Sequence, residues 1–190
     1  MGTPGRSCGA CSLCCTLLRV DEIGKLGGRP CPQQRIDDPR GGCGIHATRP
    51  GVCRAYSCLW LRGSLDEDDR PDRLGAVLDL LTEGETSRLV VHEARSGVLE
   101  RSARLQEIVE AWRQTLPVRV IAPEGAMDPD RPFRILLPRG EEQHVAGERV
   151  VVYRDGQRVE ERRMPWLDRW LRRAVLAVRG WRLRRLHRDP

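Results

Sequence analysis

The run Cys8-Gly9-Ala10-Cys11-Ser12-Leu13-Cys14-Cys15 places four thiols in eight residues. A hydrophobic core needs larger side chains than these, so packing does not explain the run. Four further cysteines follow, Cys31, Cys43, Cys53 and Cys58, and the remaining 132 residues contain none. Residues 29–52 are rich in Pro, Gly, Arg and Asp and poor in large apolar groups. Such a segment cannot bury enough surface to order itself. Metal ligation at Cys31, Cys43 and Cys53 would order it.

Thiolate is the soft ligand that zinc and iron–sulfur clusters prefer. Cys-x2-Cys spacing lets two sulfurs from one tight turn reach the same tetrahedral centre. Cys8, Cys11 and Cys14 repeat that spacing, and Cys15 adds a sulfur directed elsewhere. Bacterial-type ferredoxins also carry Cys-x2-Cys-x2-Cys, but their next cysteine comes four residues later and precedes proline. The adjacent Cys14-Cys15 breaks that pattern. It suggests a turn shared between two metal centres, or one ligand beside a bystander. Eight thiolates suffice for two four-sulfur sites, or for one site with spare thiols, and spacing does not say which cysteines share a site. Left without metal, Cys15 or Cys58 would be a redox thiol. His46, three residues after Cys43, would either replace a thiolate or hydrogen-bond one.

The quoted run and its later partners, Cys31, Cys43-Gly44-Ile45-His46 and Arg49-Pro50-Gly51-Val52-Cys53-Arg54-Ala55-Tyr56-Ser57-Cys58, resemble the CxxCxxCC family of zinc- or iron-chelating domains, the YkgJ-like cysteine-cluster proteins. The likeness covers residues 8 to about 62. It implies that all eight cysteines are functional and that the metal is zinc or iron, the latter including an iron–sulfur cluster. It implies no settled reaction. Some flagellin lysine methylases carry a similar cluster, but no separate methyl-donor site is legible here.

Three regions follow from the composition along the chain. Residues 1–62 form the cysteine-cluster region, where Thr16–Leu26 reads as a short helix ended by Gly27-Gly28. Tyr56 and Trp60 read as an apolar lid over the thiols, and Gly63–Asp72 as an acidic loop. Residues 63–163 read as a small mixed layer. Leu74–Leu81 and Arg88–His92 are expected strands around a turn at residues 82–86. Ala103–Leu116 is an expected helix, with apolar groups at i, i+3, i+4, i+7 and i+11, capped by Ser102 and stopped by Pro117. Val118–Ile121 and Phe133–Leu137 are further strands, and Arg149–Arg162 is a hairpin turning on Asp155-Gly156. Residues 164–190 read as a basic amphipathic helix beginning at Pro165. The expected fold class is α+β, a loop-rich metal-stabilised region packed with this layer and the C-terminal helix.

Charge is unevenly spread. Residues 1–62 carry +5, residues 63–153 carry −6 and residues 154–190 carry +7, giving the formal +6. Eight thiolates around two divalent ions would bring the front region to about +1. Arg6, Arg49, Arg54 and Arg62 then read as counter-charges to an anionic centre rather than as a nucleic-acid patch. The basic tail packs its Trp and Leu face on the layer, lies on an anionic membrane surface, or contacts nucleic acid or an acidic protein partner.

The chain shows no apolar run of the roughly 20 residues a bilayer span needs, so no transmembrane segment is expected. No secretory signal is legible, so the expected compartment is the cytoplasm, where thiols stay reduced. No Ser-His-Asp order, Walker loop or Gly-x-Gly-x-x-Gly is present, and His92 and His144 read as isolated residues. Catalytic residues are therefore unassigned. Two functions remain open, a structural zinc module for protein or nucleic-acid contact, and an iron–sulfur redox protein or enzyme component.

Overall fold

The computed structural model describes residues 6–38, 41–124 and 132–186. Seven strands form one sheet in the order β1-β2-β3-β4-β5-β6-β7. They are β1 (Ala76–Glu83), β2 (Thr86–Glu93), β3 (Val118–Ile121), β4 (Phe133–Leu136), β5 (Glu141–Ala146), β6 (Arg149–Arg154) and β7 (Gln157–Arg163). All neighbours are antiparallel except β2 and β3, which run parallel. A parallel pair needs a crossover, and the helices α4 (Val98–Arg101) and α5 (Ala103–Arg113) supply it. The mixed α+β class is thus observed.

Ser102 caps α5, its side chain accepting from the Leu105 amide. The apolar stripe Leu105, Ile108 and Val109 packs on Ala76, Leu78, Leu89, Val91, Val118 and Val120 of the sheet. The β6–β7 hairpin turns on Asp155-Gly156, both at positive φ (51° and 76°), as its Asp-Gly sequence requires. The β1–β2 turn is tighter than expected. Only Gly84-Glu85 separate the strands, with Gly84 at φ 61°. Strand β5 had no clear sequence signal, because Glu-Glu-Gln-His-Val-Ala lacks the apolar alternation of a half-buried strand. Every residue of β7 is exposed, and its Arg and Glu side chains guard that sheet edge against pairing.

β1 forms the other edge and separates two packed layers. Ala76 and Leu78 face the α5 core, whereas Val77, on the opposite face, packs with Leu17, Cys58 and Trp60. The Leu59 amide donates to the Leu78 carbonyl at 3.0 Å, so the end of the cysteine-bearing region covers the β1 edge. The segment expected as an acidic loop is ordered. A 3-10 turn, Glu67–Asp69, leads into α3 (Pro71–Leu74), and buried Asp69 accepts from Arg104 of α5 at 2.8 Å.

The helix α6 (Trp166–Leu186) begins one residue after Pro165. The large apolar side chains described on it do not pack on the sheet. Trp166, Leu167, Trp170, Leu171, Val175, Val178 and Trp181 are all exposed. The helix touches the turn at residues 21–23, and Arg169 donates to Glu148 at 2.7 Å. Residues 187–190 of the expected tail helix lie outside the described residues. Among the described residues, no helix is long and apolar enough to cross a membrane.

Candidate metal centre

The expected helix from Thr16 to Leu26 is shorter and begins earlier. α1 covers Leu13–Leu17, and the chain then reverses through a bridge between Val20 and Lys25 and a left-handed Gly24. The reversal is fixed by Lys25, the only lysine in the chain. Its side chain is buried and donates to the carbonyls of Thr16 and Leu18, satisfying acceptors that the end of α1 leaves open.

Backbone geometry brings the cysteine loops together. Gly9, at φ 52°, turns the chain so that the Cys11 amide reaches the Cys8 carbonyl at 2.9 Å. α1 carries Cys14 and Cys15 side by side. The Cys31 amide donates to the Cys15 carbonyl at 3.1 Å. Gln34 pairs with Cys43 in an isolated bridge, and its side chain donates to the Ser12 carbonyl and hydroxyl at 3.2 and 2.9 Å. Gly41, at φ 55°, runs so close to the first loop that a Cβ there would lie 2.3 Å from the Ala10 carbonyl oxygen. Only glycine fits. Cys53 sits on α2 (Gly51–Ala55), whose first amides, Gly51 and Val52, both donate to the Glu22 carboxylate at 2.8 Å. Cys58 is the most enclosed of the eight, packed with Leu17, Trp60 and Val77.

All eight cysteines line one cavity of 520 Å³. Their thiols are free of disulfides. As they stand, no three His, Cys, Asp or Glu side chains among the described residues are grouped to hold a metal ion. The cavity brings the thiols to one place without closing them on a centre.

Burial shapes the acidity of these thiols. It raises Cys8, Cys53 and Cys58 and pushes Cys11 up to about 11. The Cys14–Cys15 pair splits. The hydrogen bond between them holds the proton on Cys14, whose pKa rises, and draws Cys15 down to about 7. Lys25 and Arg49 lower Cys15 further against the opposing effect of burial.

Two buried donors face the thiols without a hydrogen-bond partner among the described residues, Arg49 Nε and Tyr56 Oη. Burial raises the Tyr56 pKa, as do the negative charges of Asp79, Cys58 and Cys14, so the phenol keeps its proton. A thiolate accepts from such donors far better than a thiol does. These two donors thus suit neighbouring sulfurs that carry negative charge, the state that metal ligation would impose.

The four arginines expected as counter-charges differ in position. Arg49 lines the cavity and favours the charged forms of Cys8 and Cys15. Arg6 instead stacks on the Trp60 ring at 5.3 Å and donates to the carbonyls of Trp60 and Leu65 at 2.7 and 2.8 Å. Arg54 is exposed and donates to the Arg49 carbonyl at 2.6 Å. Arg62 lies 3.6 Å from Asp79. The counter-charge that sequence reading missed is Lys25. A lysine in a Gly-rich stretch carries no sign that it will be buried.

His46 lines the cavity, and its Nε2 is paired with Arg49. Tyr56 and Trp60 belong to the cavity wall, where Trp60 Nε1 donates to the Glu67 carbonyl at 3.0 Å. His144 is not isolated. It lies on β5 against Tyr153 at 4.6 Å, with its Nε2 3.5 Å from Glu142. Comparison with known proteins returned no matching family model, curated protein or solved structure. The likeness to the CxxCxxCC family therefore rests on the cysteine pattern alone.

Proposed function

We propose that this protein chelates zinc or iron through Cys8, Cys11, Cys14, Cys15, Cys31, Cys43, Cys53 and Cys58, as the YkgJ-like cysteine-cluster pattern implies. The observation that carries the reading is the common cavity, since cysteines up to 50 residues apart line one space of 520 Å³. The buried, unpartnered donors of Arg49 and Tyr56 support it. When bound, zinc would cross-link loops that have little core of their own, and an iron–sulfur centre would add electron transfer. The chain's own part is to deliver the sulfurs, release their protons, and offset their charge with Lys25 and Arg49.

A structural zinc module and an iron–sulfur redox component differ in one measurement, anaerobic purification followed by metal analysis and a visible spectrum. Two zinc ions per chain and no colour identify the zinc module. A brown protein that bleaches on reduction identifies the redox component. A folded, metal-free protein that takes up neither metal, with eight freely titratable thiols, overturns both.

A further inference from the structure

We infer that α6 is a peripheral membrane anchor, a helix that lies in the surface of an anionic phospholipid bilayer with its apolar half among the acyl chains. The inference does not depend on metal chelation. It starts from what the packing leaves uncovered. Trp166, Leu167, Trp170, Leu171, Val175 and Val178 are all exposed on this one helix. Apolar side chains scattered singly over a surface are ordinary, but a contiguous group of them marks a contact site. With each residue turned about 100° from the last, these six fall on one half of the helix circumference, with Trp166 and Trp170 only about 40° apart. The helix is held to the protein from its other half, where Arg169 donates to Glu148 at 2.7 Å. The apolar half is thus turned outward.

Charge decides what covers it. α6 carries seven arginines against one acid, Asp168. Position 173 borders the apolar half on one side and position 179 on the other, and both are arginine. Arginine at such a border keeps its guanidinium at the level of lipid phosphates while its stem lies along apolar surface. A second copy of this chain would bring seven more arginines to the same face, so like charge opposes self-association. A nucleic acid would meet the arginines and leave the apolar groups in water. An anionic bilayer meets both halves, since its phosphates take the arginines, its interface the tryptophans and its acyl chains Leu and Val.

The helix lies on the bilayer and does not cross it. Among the described residues no helix is long and apolar enough to span. α6 also touches the turn at residues 21–23, and Ile23 of that turn lines the thiol cavity. Seating α6 on a membrane therefore holds the cysteine region beside the lipid surface.

The test uses the full chain with two kinds of vesicle, phosphatidylcholine alone and phosphatidylcholine with about a quarter phosphatidylglycerol. The protein should sediment with the mixed vesicles, at least about a hundredfold more tightly than with the neutral ones. Tryptophan emission should shift to the blue and be quenched by lipids brominated in their acyl chains. Trp166→Ala with Trp170→Ala should weaken binding to the mixed vesicles at least about tenfold and reduce the quenching. Arg173→Gln with Arg179→Gln should cut the advantage of the mixed vesicles about tenfold. Both variants alter exposed positions or helix borders, so the circular dichroism of the sheet serves as the folding control. No sedimentation with mixed vesicles, equal affinity for the two kinds, or binding unchanged in the tryptophan variant overturns the anchor. Dimerisation lost in that variant, or a preference for polyuridylate over the mixed vesicles, assigns the face to a second copy or to RNA and overturns it as well. None of these readouts depends on bound metal, so a failure of the chelation reading leaves the anchor standing.

Discussion

Lys25 donates to the Thr16 carbonyl at 2.7 Å from a position only 4% exposed. A buried ammonium is costly unless its protons are used and its charge is met. Both conditions hold at the cysteine cavity, where two carbonyls at the end of α1 take the protons and the sulfurs of Cys31 and Cys15 face the charge.

Replacing Lys25 with Met should therefore act twice. Metal-free protein loses the bonds to Thr16 and Leu18, at a cost of about 2 kcal/mol. Metal-loaded protein should lose more, because the thiolates of Cys31 and Cys15 also lose their counter-charge. Urea unfolding of both forms measures the two losses. Equal losses would remove the electrostatic role and leave only the capping one.

The loss of stability in alkali should disappear on metal loading. Burial raises Cys8, Cys11, Cys53 and Cys58 above the ordinary 9.0, Cys11 to about 11. The folded metal-free protein holds these protons more tightly than the unfolded chain. Their contribution is complete below pH 9 and is lost as pH rises toward 11. Cys15, lowered to about 7, runs the other way, its contribution present above pH 9 and lost as pH falls through 7. Between pH 7 and pH 9 only Cys15 changes, so metal-free stability rises with pH there, and above pH 9 the raised thiols make it fall. In the loaded protein the thiols hold metal in place of protons, so alkali does not remove this contribution. Denaturant melts between pH 9 and pH 11 should show metal-free stability falling while loaded stability holds.

Tyr56→Phe separates the two states in a second way. In metal-free protein the Tyr56 hydroxyl has no partner among the described residues, so its removal should cost little or stabilise slightly. In loaded protein it can donate to a thiolate, and removal should cost about 1 kcal/mol. Comparable effects in both forms would mean that the phenol does not meet a ligated sulfur.

The sequence is legible where local chemistry and long-range packing ask for the same thing. Asp155-Gly156 needs positive φ and has it, and the 3.6-residue stripe of α5 becomes its buried face. Local reading fails at Thr16–Leu26, where helix propensity yields to a reversal stabilised by Lys25, an interaction made nine residues away. It fails again at β5, whose residues pair because β4 and β6 flank them rather than through their own pattern. For the cysteines the pattern points to metal, but their grouping depends on Gln34, Glu22 and Gly41. These residues hold loops in place through backbone contacts that no spacing rule encodes.

Gly41→Ala should separate the cysteine region from the sheet. An added methyl would lie 2.3 Å from the Ala10 carbonyl oxygen, and φ 55° disfavours any side chain. The strain, about 1–3 kcal/mol, falls on the contact between the loop before Cys43 and the loop from Cys8 to Cys11. Metal binding should weaken at least tenfold, while the sheet and α5, which do not include this contact, keep their circular dichroism. Unchanged affinity would mean that the two loops can part without disturbing the thiols.

Removing residues 166–190, and so keeping Met164 on the cluster of Val145, Val150 and Val152, tests the exposed face of α6. Trp166, Leu167, Trp170, Leu171 and Trp181 of this helix are exposed, and Arg169–Glu148 is a surface ion pair worth at most about 1 kcal/mol. The truncated protein should therefore keep its unfolding free energy to within about 1 kcal/mol. It should also be more soluble, since Trp166, Trp170 and Trp181 leave with the helix. A loss of several kcal/mol would instead require the helix to bury that face on the sheet. The same truncation leaves all eight cysteines in place, so metal stoichiometry should not change. A drop in stoichiometry would mean that the contact between α6 and the turn at residues 21–23 supports Glu22 and, through it, Cys53.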